Sequence, residues 1–164
     1  MIKAIETLYK GYRFRSRLEA RWAVFFDTLG IAWEYELEGY DLGSVGWYLP
    51  DFFLPAYDIW VEVKLASGNR DQDANKAVTF AKSGRTVLWA EGVPSQASYT
   101  IMKENPVRPG LCRCTSAFLM PWYLEKYLDD WGQASGPSAP CQLGEEVLFP
   151  DLLAAVVAAR SARF

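Results

Sequence analysis

Residues 47–65 read Trp-Tyr-Leu-Pro-Asp-Phe-Phe-Leu, then Pro-Ala-Tyr-Asp, then Ile-Trp-Val-Glu-Val-Lys-Leu. Two runs rich in aromatic and aliphatic residues flank a four-residue turn signal, the pattern of a β-hairpin. With Pro55 to Asp58 as the loop, Leu54 pairs with Ile59, Phe53 with Trp60, Phe52 with Val61 and Asp51 with Glu62. Directly opposed residues of an antiparallel pair share a face, with Cβ atoms ~4.5–5.5 Å apart. Lys64, two residues beyond Glu62, shares that face as well. The other face of the second run carries Ile59, Val61, Val63 and Leu65 and reads as continuous core.

The neighbouring segments extend this hairpin into a layered domain. Leu18, Trp22, Phe25 and Leu29 recur at helical spacing, so a helix is expected over about residues 15–29, with Ser16 as N-cap, Glu19 three residues on and Gly30 as the stop. In residues 32–39, Trp33, Tyr35 and Leu37 alternate with Glu34, Glu36 and Glu38, which reads as a strand. That strand, residues 47–54 and residues 59–65 then form an antiparallel meander. A second helix over about residues 70–83 and a short strand over 86–90 make a crossover unit. The expected order is α-β-β-β-α-β: an α/β fold with a mixed central sheet flanked by helices. Further on, strands are expected over 97–103 and 111–118, an aromatic helix over 121–131, a Gly/Ser/Pro-rich loop over 132–144 and an alanine-rich helix over 149–163. Residues 1–94 form the expected core and residues 95–164 a C-terminal α/β extension packed on it, within a single structural domain.

Composition narrows the chemistry. The 164 residues contain no histidine, which removes Ser-His-Asp and Cys-His triads and histidine-ligated metal sites together. Three cysteines argue against a disulfide framework. Cys112 and Cys114, with Cys141 distant, are too sparse for a zinc site and read as inert thiols. No apolar stretch reaches the ~18–20 residues of a membrane span. The opening MIKAIETLYK has charges where a secretory signal would be apolar, so a soluble, cytoplasmic protein without membrane contact is expected. Net charge is −3, but unevenly spread. Residues 1–24 hold six basic and two acidic side chains, whereas residues 25–63 hold eight acidic and no basic ones. A basic arm beside an acidic centre suits a phosphate-binding entrance to a cation site.

Asp51 and Glu62 on one face would repel each other and destabilise the sheet unless something compensates. A divalent cation held by Asp51, Glu62 and the Val63 carbonyl would do so, and oxygen-only ligands suit Mg²⁺ or Mn²⁺. Lys64 is placed to orient an attacking water or to stabilise a phosphorane. Plainer readings stand beside these. Asp51 after Pro50 also suits a turn, Glu62 and Lys64 an exposed ion pair, and Glu36 a solvated strand edge. Glu19 suits a capping box with Ser16.

Pro50-Asp51 followed by Glu62-Val63-Lys64 resembles the signature of the PD-(D/E)XK nucleases, and the α-β-β-β-α-β order is that of their restriction-endonuclease-like core. Residues 15–21, Arg-Ser-Arg-Leu-Glu-Ala-Arg, look like the opening helix of small phage and prophage members, and residues 158–164 look like their tails. The core resemblance spans about residues 10–92. It implies that Asp51 and Glu62 bind the metal, that Lys64 assists hydrolysis, and that Glu19, at the matching position on the first helix, joins both the catalytic and the metal-binding set. The implied activity is metal-dependent endonucleolytic hydrolysis of DNA in a phage- or prophage-carrying bacterial cell. Arg13, Arg15, Arg17 and Arg21 are then the candidate DNA contacts, together with Lys76 on the second helix, where Lys82 also lies. A Holliday-junction or branched-DNA resolvase is one alternative, expected as a homodimer because it cuts two strands. A catalytically silent nucleic-acid-binding or phage interaction protein is another. Trp122, Tyr123, Tyr127 and Trp131 suit base stacking or, at helical spacing, a core or interface.

Overall fold

The computed structural model describes residues 4–66, 71–95, 99–104, 111–117 and 150–164, with the backbone alone for 111–117 and Pro150. The expected aromatic helix at 121–131, the loop at 132–144 and Cys141 lie outside the described residues.

The chain opens with a hairpin, β1 (Thr7–Tyr9) and β2 (Tyr12–Phe14), that the sequence reading did not anticipate. Its two-residue turn, Lys10-Gly11, has φ of +48° and +84°. Positive φ at both central residues is the geometry that matches the twist of paired strands. Helix α1 (Arg17–Thr28) follows, two residues later than the expected start. Ser16 caps it as expected, its hydroxyl accepting from the Glu19 N–H. At the other end Gly30 N–H donates to Asp27 O and Ile31 N–H to Phe26 O, while Gly30 takes φ +69°. This is the left-handed C-terminal cap that glycine adopts without steric penalty.

The central sheet runs β10-β9-β8-β7-β6-β3, six strands in the order of hydrogen bonding. They are β3 (Glu34–Tyr35), β6 (Phe52–Leu54), β7 (Ile59–Lys64), β8 (Thr86–Glu91), β9 (Tyr99–Glu104) and β10 (Leu111–Ala117). Only β7 and β8 are parallel, joined across helix α2 (Asp71–Lys82); the other pairs are antiparallel. The mixed α/β architecture and the crossover are therefore as expected. So is the hairpin register: Phe52 lies opposite Val61, Phe53 opposite Trp60 and Leu54 opposite Ile59.

Three expectations need correction. The strand expected over 32–39 is only two residues long, because Glu36 turns to φ +47° and takes the chain out of the extended region. The strand expected over 47–54 is split in two. Trp47–Tyr48 (β5) pairs instead with Tyr40–Asp41 (β4) in a separate ribbon, and only 52–54 join the sheet. Leu65, expected in the core, is 66% exposed just past the end of β7.

Both faces of the sheet are covered. Phe52, Leu54, Ile59, Val61, Val63, Leu88, Ala90 and Ile101 face α1 and the last described helix, α3 (Pro150–Ser161). Trp60, Val87 and Met102 face α2 and Tyr48 of the ribbon. This alternation is the period-two consequence of the pleat. Glu62 and Lys64 share the α2-side parity of Trp60. They lie at the C-terminal end of β7, beside the first turn of α2.

Candidate functional site

Among the described residues only three charged side chains are buried: Glu19, Asp51 and Glu62, at 8%, 4% and 4% exposure. All three are acids singled out in the sequence. Burying a charge is expensive unless partners compensate it, so the partners define the site.

Asp51 sits one residue before β6. Its backbone N–H donates to Val61 O (3.0 Å), and its side chain continues the ladder, Oδ2 accepting from the Val63 N–H at 2.7 Å. Oδ1 accepts from Arg15 Nη2 at 2.6 Å. Glu62 lies near the end of β7, with Oε1 2.6 Å from Lys64 Nζ, which also reaches Asp73 Oδ2 on α2 at 3.1 Å. Glu62 Oε2 and the Tyr48 hydroxyl are buried next to each other, neither with a well-formed hydrogen bond. Glu19 is held by Ser16 Oγ (2.6 Å), the Tyr35 hydroxyl (2.6 Å) and the Arg15 N–H (3.2 Å). The cap expected with Ser16 forms in altered shape: Glu19 N–H donates to Ser16 Oγ, and the returning carboxylate takes the Arg15 N–H and the Ser16 hydroxyl.

The electrostatics follow from this packing. Burial raises the Asp51 carboxyl well above its ordinary range, and the fields of Glu62 and Glu19 push it further up. The Val63 N–H and Arg15 pull the other way without prevailing. Burial likewise raises Glu62, against the pull of Lys64. Lys64 itself is raised: burial acts to lower it, but the Glu62 and Asp51 carboxylates outweigh that. The Tyr48 phenol is pushed far up, chiefly by burial and then by the Glu62 charge. Acids held this close and this dry fit a site built for a cation.

The basic residues fall into two groups. Arg15 is drawn into the acidic centre, with Nε 2.6 Å from Glu36 Oε1 in addition to its bond to Asp51. Arg13 and Arg17 are exposed, Arg13 pairing with Glu6 at 3.3 Å, while Arg21 and Lys76 are half-buried. Cys112 and Cys114 lie on β10, opposite Lys103 and Ile101. Glu36, read as a solvated edge, is instead an Arg15 partner. Tyr35, Tyr48 and Asp73 were not singled out at all. The alternation in 32–39 already put Tyr35 on the opposite face from Glu34 and Glu36, but no pattern in the chain pointed to Asp73.

No three Cys, Asp or Glu side chains among the described residues stand as a ready metal-ligating cluster. The donor chemistry nevertheless fits a hard divalent ion: two adjacent buried carboxylates, one with an oxygen that lacks a well-formed hydrogen bond. No family model matches this chain, nor does any curated protein or solved structure. No helix among the described residues is long and apolar enough to cross a membrane.

Proposed function

We propose that this protein is a divalent-metal-dependent endonuclease of the PD-(D/E)XK type, hydrolysing DNA phosphodiester bonds. The observation that carries the reading is the burial of Asp51 and Glu62 together, with Lys64 Nζ 2.6 Å from the Glu62 carboxylate. A purely structural ion pair has no need of a second buried acid that raises its neighbour's pKa. The position also suits a ligand, at the C-terminal ends of the two parallel strands, where open α/β sheets bind theirs.

Asp51 and Glu62 would hold Mg²⁺ or Mn²⁺ together with the Val63 carbonyl, and Glu19 is the further donor that the resemblance implies. The bound ion would lower the pKa of water and offset charge on the phosphate. Hydrolysis adds water across the P–O bond, leaving OH on phosphorus and a proton on the departing oxygen. Lys64 keeps an ammonium at the reacting centre, since the acids around it hold its pKa up. It can thus orient the water and stabilise the five-coordinate phosphorus. Asp73 shares Lys64 with Glu62 and limits where the ammonium can swing. Arg13 and Arg17, both exposed and both within two residues of Arg15 in the chain, are the phosphate contacts this reading assigns.

Cleavage of labelled linear, single-stranded, nicked and four-way-junction DNA in Mg²⁺, Mn²⁺ or EDTA tests the proposal, with Glu62→Ala alongside. Metal-dependent cutting that falls by two or more orders of magnitude in the variant is the expected result. Preference for the junction would favour the resolvase form. One observation favours the silent binding alternative: Arg15 and Lys64 already neutralise the acids. DNA binding with no cutting in either metal would decide for it.

A further inference from the structure

Arg15 differs from the other basic residues near the chain start in where its charge ends. The side chain is 56% exposed, yet its guanidinium rests on Asp51, whose side chain is 5% exposed. Its second contact, Glu36, occupies a left-handed backbone conformation that a residue with a Cβ seldom adopts. Arg15 precedes the cap of α1, so its side chain can swing without disturbing the helix. The oxygen it holds is also specific. Asp51 Oδ2 accepts from the buried Val63 N–H, a partner fixed in the sheet, whereas Oδ1 is held by the partly exposed Arg15 side chain, the partner that can leave. On the neighbouring acid, Glu62 Oε2 is buried without a well-formed hydrogen bond. The pair of acids is therefore one displacement away from offering two carboxylate oxygens to a hard ion.

We propose that Arg15 is a displaceable counter-ion: it caps Asp51 until a divalent cation takes Oδ1, and the freed guanidinium then engages a DNA phosphate. This rests on the metal-dependent reading above. The capped form competes with metal, so apparent metal affinity is reduced by the fraction of uncapped molecules. If nine-tenths of the protein is capped, removing the charge tightens metal binding about tenfold. The same change removes one phosphate contact, weakening DNA binding and reducing its salt slope by about one.

The test titrates Mn²⁺ calorimetrically into the full chain as wild type, Arg15→Gln, Arg15→Lys and Asp51→Asn. DNA binding is measured in Ca²⁺ by anisotropy of a labelled duplex at several salt concentrations. Arg15→Gln is expected to bind Mn²⁺ about tenfold tighter and DNA more weakly with a shallower salt slope, with Arg15→Lys between it and wild type. Circular dichroism melts confirm folding, and Arg15→Lys, which keeps the charge, serves if Arg15→Gln does not fold. Mn²⁺ affinity in Arg15→Gln equal to or weaker than wild type, or an unchanged salt slope, overturns the proposal. If wild type binds Mn²⁺ and Asp51→Asn does not, that failure leaves the metal site standing. If neither wild type nor Arg15→Gln binds Mn²⁺, the site reading falls and the counter-ion role falls with it.

Discussion

Glu19, Asp51 and Glu62 are buried to similar degrees, but their surroundings give them different chemistry. Without metal, Glu19 is satisfied by a hydroxyl, a phenol and a backbone N–H and anchors the start of α1; as a metal donor it would have to exchange one of these partners. Asp51 and Glu62 have their pKa values raised by burial, and Asp51 further by its acidic neighbours. An acid that binds its proton more tightly folded than unfolded contributes stability below its unfolded pKa, and that contribution is lost as pH rises through the folded value. The metal-free protein should therefore lose melting temperature relative to Glu62→Gln as pH rises from the ordinary carboxylate range near ~4 towards 8. Mg²⁺ should restore it in wild type, and more at pH 8 than at pH 5, because ligands must be deprotonated to bind. Melting curves at several pH values, with and without Mg²⁺, check both. A wild type–variant difference that grows in wild type's favour with pH would contradict the raised pKa of Glu62.

At the scale of elements, the β6–β7 hairpin is more than a carrier for two acids. Its ladder is completed by a side chain, since Asp51 Oδ2 takes the Val63 N–H just before β6 begins. Removing that acceptor leaves a buried donor unsatisfied, at about 1–3 kcal/mol. Asp51→Ala should accordingly be less stable than Asp51→Asn by about that amount, as measured by urea unfolding. Both variants are neutral, so the difference isolates the acceptor from the charge. Equal stabilities would mean that the Val63 N–H finds another partner. The same hairpin places Phe53 against Trp60, ring centroids 4.5 Å apart, on the face that carries Glu62. Aromatic packing thus backs the strand on which the carboxylate stands.

Across the molecule, the C-terminal elements are part of the core that holds the site. β9 lies within the central sheet, and α3 buries Leu152, Ala155, Val156 and Ala159 in the cluster shared with α1. Arg160 Nε donates to Pro94 O at 3.1 Å, and Trp22 Nε1 to Gly92 O at 3.0 Å, so both helices grip the segment after β8. Ala155 and Ala159 are fully buried, which lets the two helices approach closely. Ala155→Leu should destabilise the whole fold by about 1–3 kcal/mol through overpacking. Urea unfolding followed by tryptophan fluorescence and by far-ultraviolet circular dichroism should show one shifted transition by both probes. An unchanged midpoint would mean that α3 can move off α1 freely.

The hairpin register, the Ser16–Glu19 cap, the Gly30 stop and the β7-α2-β8 crossover were legible in the chain because each rests on residues near one another in sequence. Turn chemistry sets the register, and a one-residue slip would turn the apolar set Ile59, Val61 and Val63 to the wrong face. The β1–β2 hairpin had a local signal too, Lys10-Gly11 between aromatic residues, but its three-residue strands are too short for periodicity to stand out. The breaks at Glu36 and between Tyr48 and Phe52 were hidden for a different reason. Alternation continues past Glu36, and the aromatic and aliphatic run resumes on both sides of Pro50-Asp51, while the backbone follows partners supplied by the ribbon and by Arg15. Candidate acids could be picked out one hairpin at a time, but which cations meet them depends on where α1 and α2 dock on the sheet. Arg15 reaches Asp51 across 36 positions, and Asp73 reaches Lys64 from another element altogether. Local chain geometry brought Asp51 and Glu62 to the same end of the β6–β7 hairpin; the packing of helices on that sheet decided how far they are dried and which charges answer them.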